Sequence, residues 1–173
     1  MTDMDLIVNL YDLPEDVEAD PRPALAAQGI KIKRALAADK SEICEFIRRE
    51  FSQGWADEAE KALMNFPSAL YIAVYEEKVV GFGCYDTSAL GYYGPLGVDE
   101  KMRGKGIAHA LTSVCLKAMR EKGYGYAIIN AGPVEYYIKR LNAKIIGDHN
   151  AVFENLIVEP VKPSREGEDI KTL

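Results

Sequence analysis

The stretch Gly97-Val-Asp-Glu-Lys-Met-Arg103-Gly104-Lys105-Gly106-Ile107-Ala108 decides how the rest of this chain is read. Strand-forming residues end at Val98, two glycines and two cations follow, and a long amphipathic helix begins. The first amides of a helix lack intrahelical partners, point outward and carry about half a positive charge from the dipole. Glycines let the main chain approach a ligand closely, so the segment has the makings of a phosphate cradle. Two rival readings fail on spacing. A Walker loop needs G-x-x-x-x-G-K-[ST], but Gly106 follows Lys105 and no glycine stands at the required offset. A dinucleotide fingerprint needs Gly or Ala three residues after Gly106, where the chain has His109. A strand-to-helix turn with glycines for steric reasons is the plainer alternative.

Working outward, the preceding strand covers about residues 92–98 and contains Gly94-Pro95. Proline cannot donate to a ladder, so this strand is expected to bulge or splay there. Before it, residues 70–75 and 78–85 read as an antiparallel hairpin closed by a tight Glu-Glu-Lys turn. Further back, Ile-Lys-Ile-Lys-Arg-Ala from Ile30 alternates with period two, as a half-buried strand does. Asp39 or Ser41 then caps a helix with Ile43, Cys44, Phe46, Ile47 and Phe51 on one side; Gly54 breaks it, and a second helix spans about 57–65. Residues 5–11 read as a short strand, followed by an acidic, proline-bearing linker.

Downstream, the helix over about 106–122 places Ile107, Leu111, Val114, Cys115, Ala118 and Met119 inward and stops at Gly123. Residues 126–129 read as a buried strand and 134–141 as a short helix. Residues 144–146 are expected to pair with 152–157 as the last strands, and the polar tail from 159 to fold poorly. The fold class expected is α/β (α+β): a single domain whose mostly antiparallel mixed central sheet is flanked by helices, with an extra N-terminal strand. The expected division is 1–28, N-terminal strand and acidic linker; 29–158, the domain proper; 159–173, a flexible tail.

Bulk properties narrow the function. The chain has 173 residues, a net charge of −6 and 28% charged residues, which suits one soluble domain. An acidic protein is poorly suited to neutralising many phosphates, so no nucleic acid is expected. Lys101, Arg103 and Lys105 nevertheless make a basic knot, suited to a compact polyanion. Cys44, Cys84 and Cys115 are dispersed without C-x-x-C spacing, which argues against disulfides and against a zinc site. Seven acids and no base occupy the first twenty residues, unlike a signal peptide. No apolar run approaches the roughly 18 residues of a membrane span, so a cytoplasmic location and no membrane partner are expected.

The motifs resemble those of the GNAT superfamily of N-acetyltransferases. The family hallmark, Arg/Gln-x-x-Gly-x-Gly/Ala, is met at every fixed position by Arg103, Gly106 and Ala108. A second signature, an Asn seven residues before a Tyr, is met by Asn130 and Tyr137, and Lys-Arg-Leu-Asn-Ala-Lys-Ile-Ile after it resembles the family's continuation. The chain departs by Pro133 where alanine is common and by Asn142 where glycine is common. The resemblance covers about residues 30–157. It implies that acetyl-CoA is the co-substrate, with its pyrophosphate on the amides of residues 103–108, through Arg103, Gly104, Lys105, Gly106, Ile107 and Ala108. Leu96, Gly97 and Val98 of the splayed strand would add further cofactor contacts, and Asn130 a cofactor or wall contact. Tyr137 would protonate the leaving thiolate.

This chemistry asks mainly for orientation, because holding two reactants together can supply several kcal/mol of the barrier. Splayed-strand amides around Gly94 to Val98 would serve the thioester oxygen. A phenol near pKa 10 suits a thiolate near 8.5 to 9. Tyr136 is the residue most easily confused with Tyr137, and a core aromatic is the alternative for either. The base is harder to place: Asp86 and Glu58 are candidates, beside water or a plain surface role for both. Cys84 and Cys115 read as core, and His109 as a helix-surface residue. Phe51, Trp55 and Tyr92 or Tyr93 would wall the acceptor pocket. The acceptor expected is a small-molecule or peptide amine, and edge strands near both ends would suit a homodimer. A noncatalytic acyl-CoA-binding module on the same fold is the alternative function.

Overall fold

The structure, a computed structural model, describes residues 4–130 and 132–147. The expected strand at 152–157, the tail from 159 and His149 lie outside the described residues.

The elements run β1 (Leu6–Asn9), α1 (Glu15–Glu18), α2 (Arg22–Ala26), β2 (Ile30–Arg34), α3 (Lys40–Glu50), α4 (Gln53–Met64), β3 (Leu70–Tyr75), β4 (Lys78–Tyr85), β5 (Tyr93–Val98), α5 (Ile107–Lys122), β6 (Tyr126–Ile129), α6 (Val134–Leu141) and β7 (Lys144–Ile145). Two antiparallel sheets result. One has the order β2-β3-β4-β5, the other β6-β1-β7. They meet where β5 begins, through a parallel bridge between Tyr92 and Ile128 and a hydrogen bond from Ile128 N–H to Gly91 C=O at 2.8 Å. The expected mixed α/β layout is therefore present, with the sheet divided in two.

Gly-Pro does what its chemistry dictates. Gly83 faces Leu96 and Tyr85 faces Tyr93, so β5 spends three residues where β4 spends two, and the bulge falls on Gly94-Pro95. The β3–β4 hairpin closes through Glu76 and Glu77, both at positive φ (48° and 61°), which suits the right-handed twist of the strands.

Three local expectations are corrected. Gly54 does not break a helix; the chain breaks at Phe51 (φ −130°, ψ −87°), and α4 starts at Gln53 because the Ser52 side chain accepts the Trp55 N–H at 3.1 Å. The β6 strand is half-buried, with Tyr126 exposed and Ala127 and Ile129 buried. The stretch after β1, expected as an acidic linker, holds the short helices α1 and α2. β7 pairs with β1, whose register sets Leu6 opposite Ile145 on one side and Ile129 on the other, and the partner expected for β7 at 152–157 lies outside the described residues.

α5 packs against the sheet so closely that a Cβ on Gly81 would meet Ile107 at 3.1 Å and Leu111 at 3.3 Å. All six expected inward residues of α5 are buried. Its opposite face is covered too, because residues 10–19 run along it as a strap. His109 Nε2 contacts Asp16 C=O at 3.0 Å, Ser113 Oγ donates to Val17 C=O at 2.6 Å, and Lys117 Nζ donates to the Glu18 and Ala19 carbonyls, each at 3.1 Å. Arg120 donates to Leu10 C=O at 3.0 Å and is ion-paired with Glu18. These four side chains recur three or four residues apart, one stripe of a helix. Among the described residues no helix is long and apolar enough to cross a membrane.

Candidate functional site

The site is built on the exit from β5. After Val98 a 3-10 turn (Glu100–Met102) reverses the chain, its start capped by Asp99, whose carboxylate accepts the Lys101 N–H at 2.9 Å. Gly104 and Gly106 then adopt positive φ, 76° and 86°. A Cβ on either would touch nothing within 4 Å. The glycines are thus required by backbone conformation and the space before them is open. Gly106 occupies the cap position of α5 and, among the described residues, no side-chain cap bond is made there. Val98, Met102, Arg103, Gly104, Gly106, Ile107 and Ala108 line a small hollow there. Lys101 and Lys105 are exposed beside it and Arg103 is half-buried.

The hollow thus gathers six of the residues expected to hold a cofactor: Val98, Arg103, Gly104, Gly106, Ile107 and Ala108. Leu96 and Gly97 lie further back on β5. Gly97 has a packing role of its own, because a Cβ there would meet Phe51 at 2.6 Å and Phe82 at 2.7 Å. Asn130 follows the last residue of β6. Beyond the Tyr92–Ile128 bridge, no ladder joins β5 to β6 among the described residues. That edge of β5 leaves main-chain groups for a ligand lying between the sheets.

Tyr137 lies on α6 with 6% of its surface exposed. A Cβ on Gly132 would meet its ring at 3.1 Å, and its ring meets Tyr136 edge-on at 5.4 Å between centroids. Burial, followed by the neighbouring Tyr136, pushes the Tyr137 phenol well above its ordinary value. Such a phenol keeps its proton until a stronger base arrives. Tyr136 is the more exposed of the pair. Its phenol is also raised by burial, while Arg140 acts the other way.

Other candidates sort by their partners. Asp86, 3% exposed, receives Lys122 Nζ at 2.6 Å and the Gly91 N–H at 2.7 Å. It clamps the loop 86–92 and presents no free carboxylate. Tyr93 faces α5, with its hydroxyl 2.8 Å from Thr112 Oγ1, so it does not belong to the acceptor wall. Phe51 and Trp55 stack at 5.4 Å and 27°, and both meet Phe82 edge-on. Cys84 and Cys115 are buried and their thiols are raised by burial, the opposite of a nucleophile.

One group had only half a signal in the sequence. Glu58 on α4 accepts hydrogen bonds from the Thr87 and Ser88 hydroxyls, Thr87 at 3.3 Å, and Thr87 Oγ1 also lies 3.1 Å from Gly94 C=O. Burial raises the Glu58 carboxyl above the ordinary range, opposed by the two hydroxyls. Nothing in a linear pattern marks Thr87 and Ser88 as partners of a residue some thirty positions earlier.

Comparison with known proteins bears on the fold and the family. Among solved structures, a glucosamine N-acetyltransferase region of a fungal multi-domain GH3 β-N-acetylglucosaminidase superposes with a TM-score of 0.65 at 14% identity, over 84% of this chain and 20% of that one. A GCN5-related N-acetyltransferase from Sphaerobacter thermophilus gives 0.61 at 18% identity, over 83% of this chain and 48% of that one. The chain therefore spans about a fifth and about half the length of these two proteins. A GNAT family acetyltransferase from Brucella melitensis, solved with acetyl-CoA, gives 0.52 at 19% identity, over 68% of this chain and 87% of that one. No curated protein matches the chain. At these identities the superpositions speak for the fold, but the acetyltransferase (GNAT) family model matches residues 40–142, from the first residue of α3 to the turn after α6. A glycine loop opening uncapped onto a helix, in a sheet divided at the neighbouring strand, thus lies inside the matched region, and the chain belongs to the GNAT acetyltransferase family.

Proposed function

We propose that the chain is an N-acetyltransferase that moves the acetyl group of acetyl-CoA directly to a primary amine of a small-molecule or peptide acceptor. The observation that carries this reading is the open, uncapped first turn of α5 behind Gly104 and Gly106. Arg103, Gly104, Lys105, Gly106, Ile107 and Ala108 would hold the pyrophosphate with backbone amides and the helix dipole. Leu96, Gly97 and Val98 would line the pantetheine path along the free edge of β5, and Asn130 would border it from β6. The thioester supplied by acetyl-CoA is the activated acyl group, so no metal is needed. Tyr137 holds its proton in a buried site and delivers it to the departing thiolate. The bulged Gly94-Pro95 segment orients the carbonyl for attack.

The three cysteines are buried free thiols, in keeping with a cytosolic enzyme. The catalytic domain is assigned to 29–158, with 1–28 as an N-terminal addition whose strand enters the second sheet. β2 and β7, at the outer ends of the sheets among the described residues, are the strands through which a second copy would pair. The test is thermal-shift titration with acetyl-CoA, coenzyme A and ATP, followed by thiol release with a panel of primary amines. Stabilisation by both coenzyme A forms but not by ATP, with amine-dependent thiol release, is expected. Binding without turnover on any amine would return the chain to an acyl-CoA-binding module.

A further inference from the structure

Residues from three separate segments converge where β5 leaves its ladder. α4 contributes Glu58, the loop after β4 contributes Thr87 and Ser88, and β5 contributes the Gly94 carbonyl. The Ser88 hydroxyl donates to Glu58 Oε1, and Thr87 Oγ1 stands 3.3 Å from the same oxygen and 3.1 Å from Gly94 C=O. One hydroxyl proton serves one acceptor at a time, so Thr87 links the carboxylate to the bulge. Both hydroxyls fall on Oε1, so among the described residues Oε2 is the oxygen left to meet an incoming donor. The loop that brings them is held by Asp86, through Lys122 and the Gly91 N–H. One helical turn before Glu58, Trp55 stacks on Phe51, giving the same side of α4 a flat apolar wall.

We propose that Glu58 is the base that takes the proton from the acceptor's ammonium, held by Thr87 and Ser88 beside the bulge at Gly94, and that the acceptor carries its amine on an apolar or aromatic body lying against Trp55 and Phe51. This rests on reading the chain as an acetyltransferase. The acceptor arrives as R–NH3+ and gives one proton to Glu58. The freed nitrogen lone pair forms the C–N bond to the thioester carbonyl, and the C–S bond then breaks with its electron pair on sulfur. The sulfur takes a proton from Tyr137, which recovers it from the acylated nitrogen. Products are the amide, the free thiol and one proton, released from Glu58 to water.

The surroundings support this role. Burial favours the protonated acid, and no charged side chain contributes to the rise of the Glu58 carboxyl. The buried thiol of Cys84 on β4 lies within electrostatic reach of it, and Asp86, beside Thr87 in the chain, has its carboxylate turned to Lys122. The group is therefore set to exchange protons above the ordinary carboxylate range.

The decisive variant is Glu58→Gln, whose amide oxygen still accepts both hydroxyls but cannot take a proton. The full chain is assayed across pH with acetyl-CoA and a primary-amine panel of phenethylamine, spermidine and a lysine peptide. Trp55, the chain's one tryptophan, serves as a fluorescence reporter three residues from Glu58. For the wild type, kcat/KM should reach a plateau on the alkaline side of the Glu58 titration, fastest with phenethylamine, and Trp55 emission should titrate with the same midpoint. Glu58→Gln should lower kcat by about 100-fold or more, replace the plateau by a rise of about tenfold per pH unit, and abolish the fluorescence titration. Its thermal shift with acetyl-CoA should match wild type. A Glu58→Gln protein with wild-type kcat and an unchanged plateau overturns the assignment of the base, and preference for spermidine overturns the apolar acceptor. A wild type that binds acetyl-CoA and acetylates none of the panel overturns the acetyltransferase reading and this inference with it.

Discussion

The two ends of β5 use the same strand for opposite electrostatics. At Val98 the chain leaves through glycines at positive φ, and the amides of α5 stand uncapped with Lys101, Arg103 and Lys105 around them. At Gly94 it enters through a bulge, where a carbonyl and the Glu58 carboxylate share Thr87. The first end is positive and made from twelve consecutive residues; the second is negative and joins α4 to the loop and strand some thirty residues further along. An anion site can be written in local backbone geometry, because amides and a helix dipole are backbone properties. A proton-accepting site needs a side chain placed in a chosen dielectric, and that is a property of packing.

This division can be broken by experiment. The largest effect is expected from Gly106→Glu, which strains a residue at φ 86° and puts a negative charge where a diphosphate would lie. Acetyl-CoA should then give no thermal shift; an unchanged shift would detach the positive end from cofactor binding. Next comes Tyr137→Phe, which removes the hydroxyl proposed as proton donor while keeping the ring in its packed site. Single-turnover kinetics should show a rate lower by about 100-fold with cofactor affinity spared, and full activity would return Tyr137 to a packing role.

Gly97 lies between the two ends, and Gly97→Ala probes their independence. Its Cβ has no room beside Phe51 and Phe82, so chemical denaturation should show a loss of about 1–3 kcal/mol from overpacking. If Phe51 yields and carries Trp55 with it, the pH profile should change while the acetyl-CoA shift persists. Ser52→Ala removes the N-cap of α4, the helix that carries Glu58, and should cost about 1 kcal/mol.

The smallest effect is a pH trend. Glu58 has a folded-state pKa above its unfolded value, so its contribution to stability is full below the unfolded pKa and is lost as pH rises through the folded one. Glu58→Gln, neutral throughout, escapes that loss. The Tm of the variant relative to wild type should therefore climb with pH across the Glu58 titration. A flat difference would place the carboxylate in water-like surroundings and weaken the contrast between the two ends.

What could be read from the chain follows the same line. The β3–β4 hairpin, the bulge at Gly94-Pro95, α5 with its Gly106 start and Gly123 stop, and α6 are all local patterns of period, cap and turn, and the structure shows each of them. Where a local rule misled, another local rule had more weight: the Ser52 cap set the start of α4 despite Gly54.

Amino-acid order alone thus determined strands β2 to β5, helices α5 and α6, the glycine loop and the family signature, since each depends on backbone preferences within a few residues, while α1 and α2 were hidden in an acidic, proline-bearing stretch. Only the tertiary structure decided that β1 lies between β6 and β7, that residues 10–19 cover the second face of α5, and that Asp86 is a clamp while Glu58 faces the bulge. Two acids look alike in a sequence. Burial and hydrogen-bond partners, contributed by segments far apart in the chain, make one a salt-bridged strut and give the other a raised affinity for a proton.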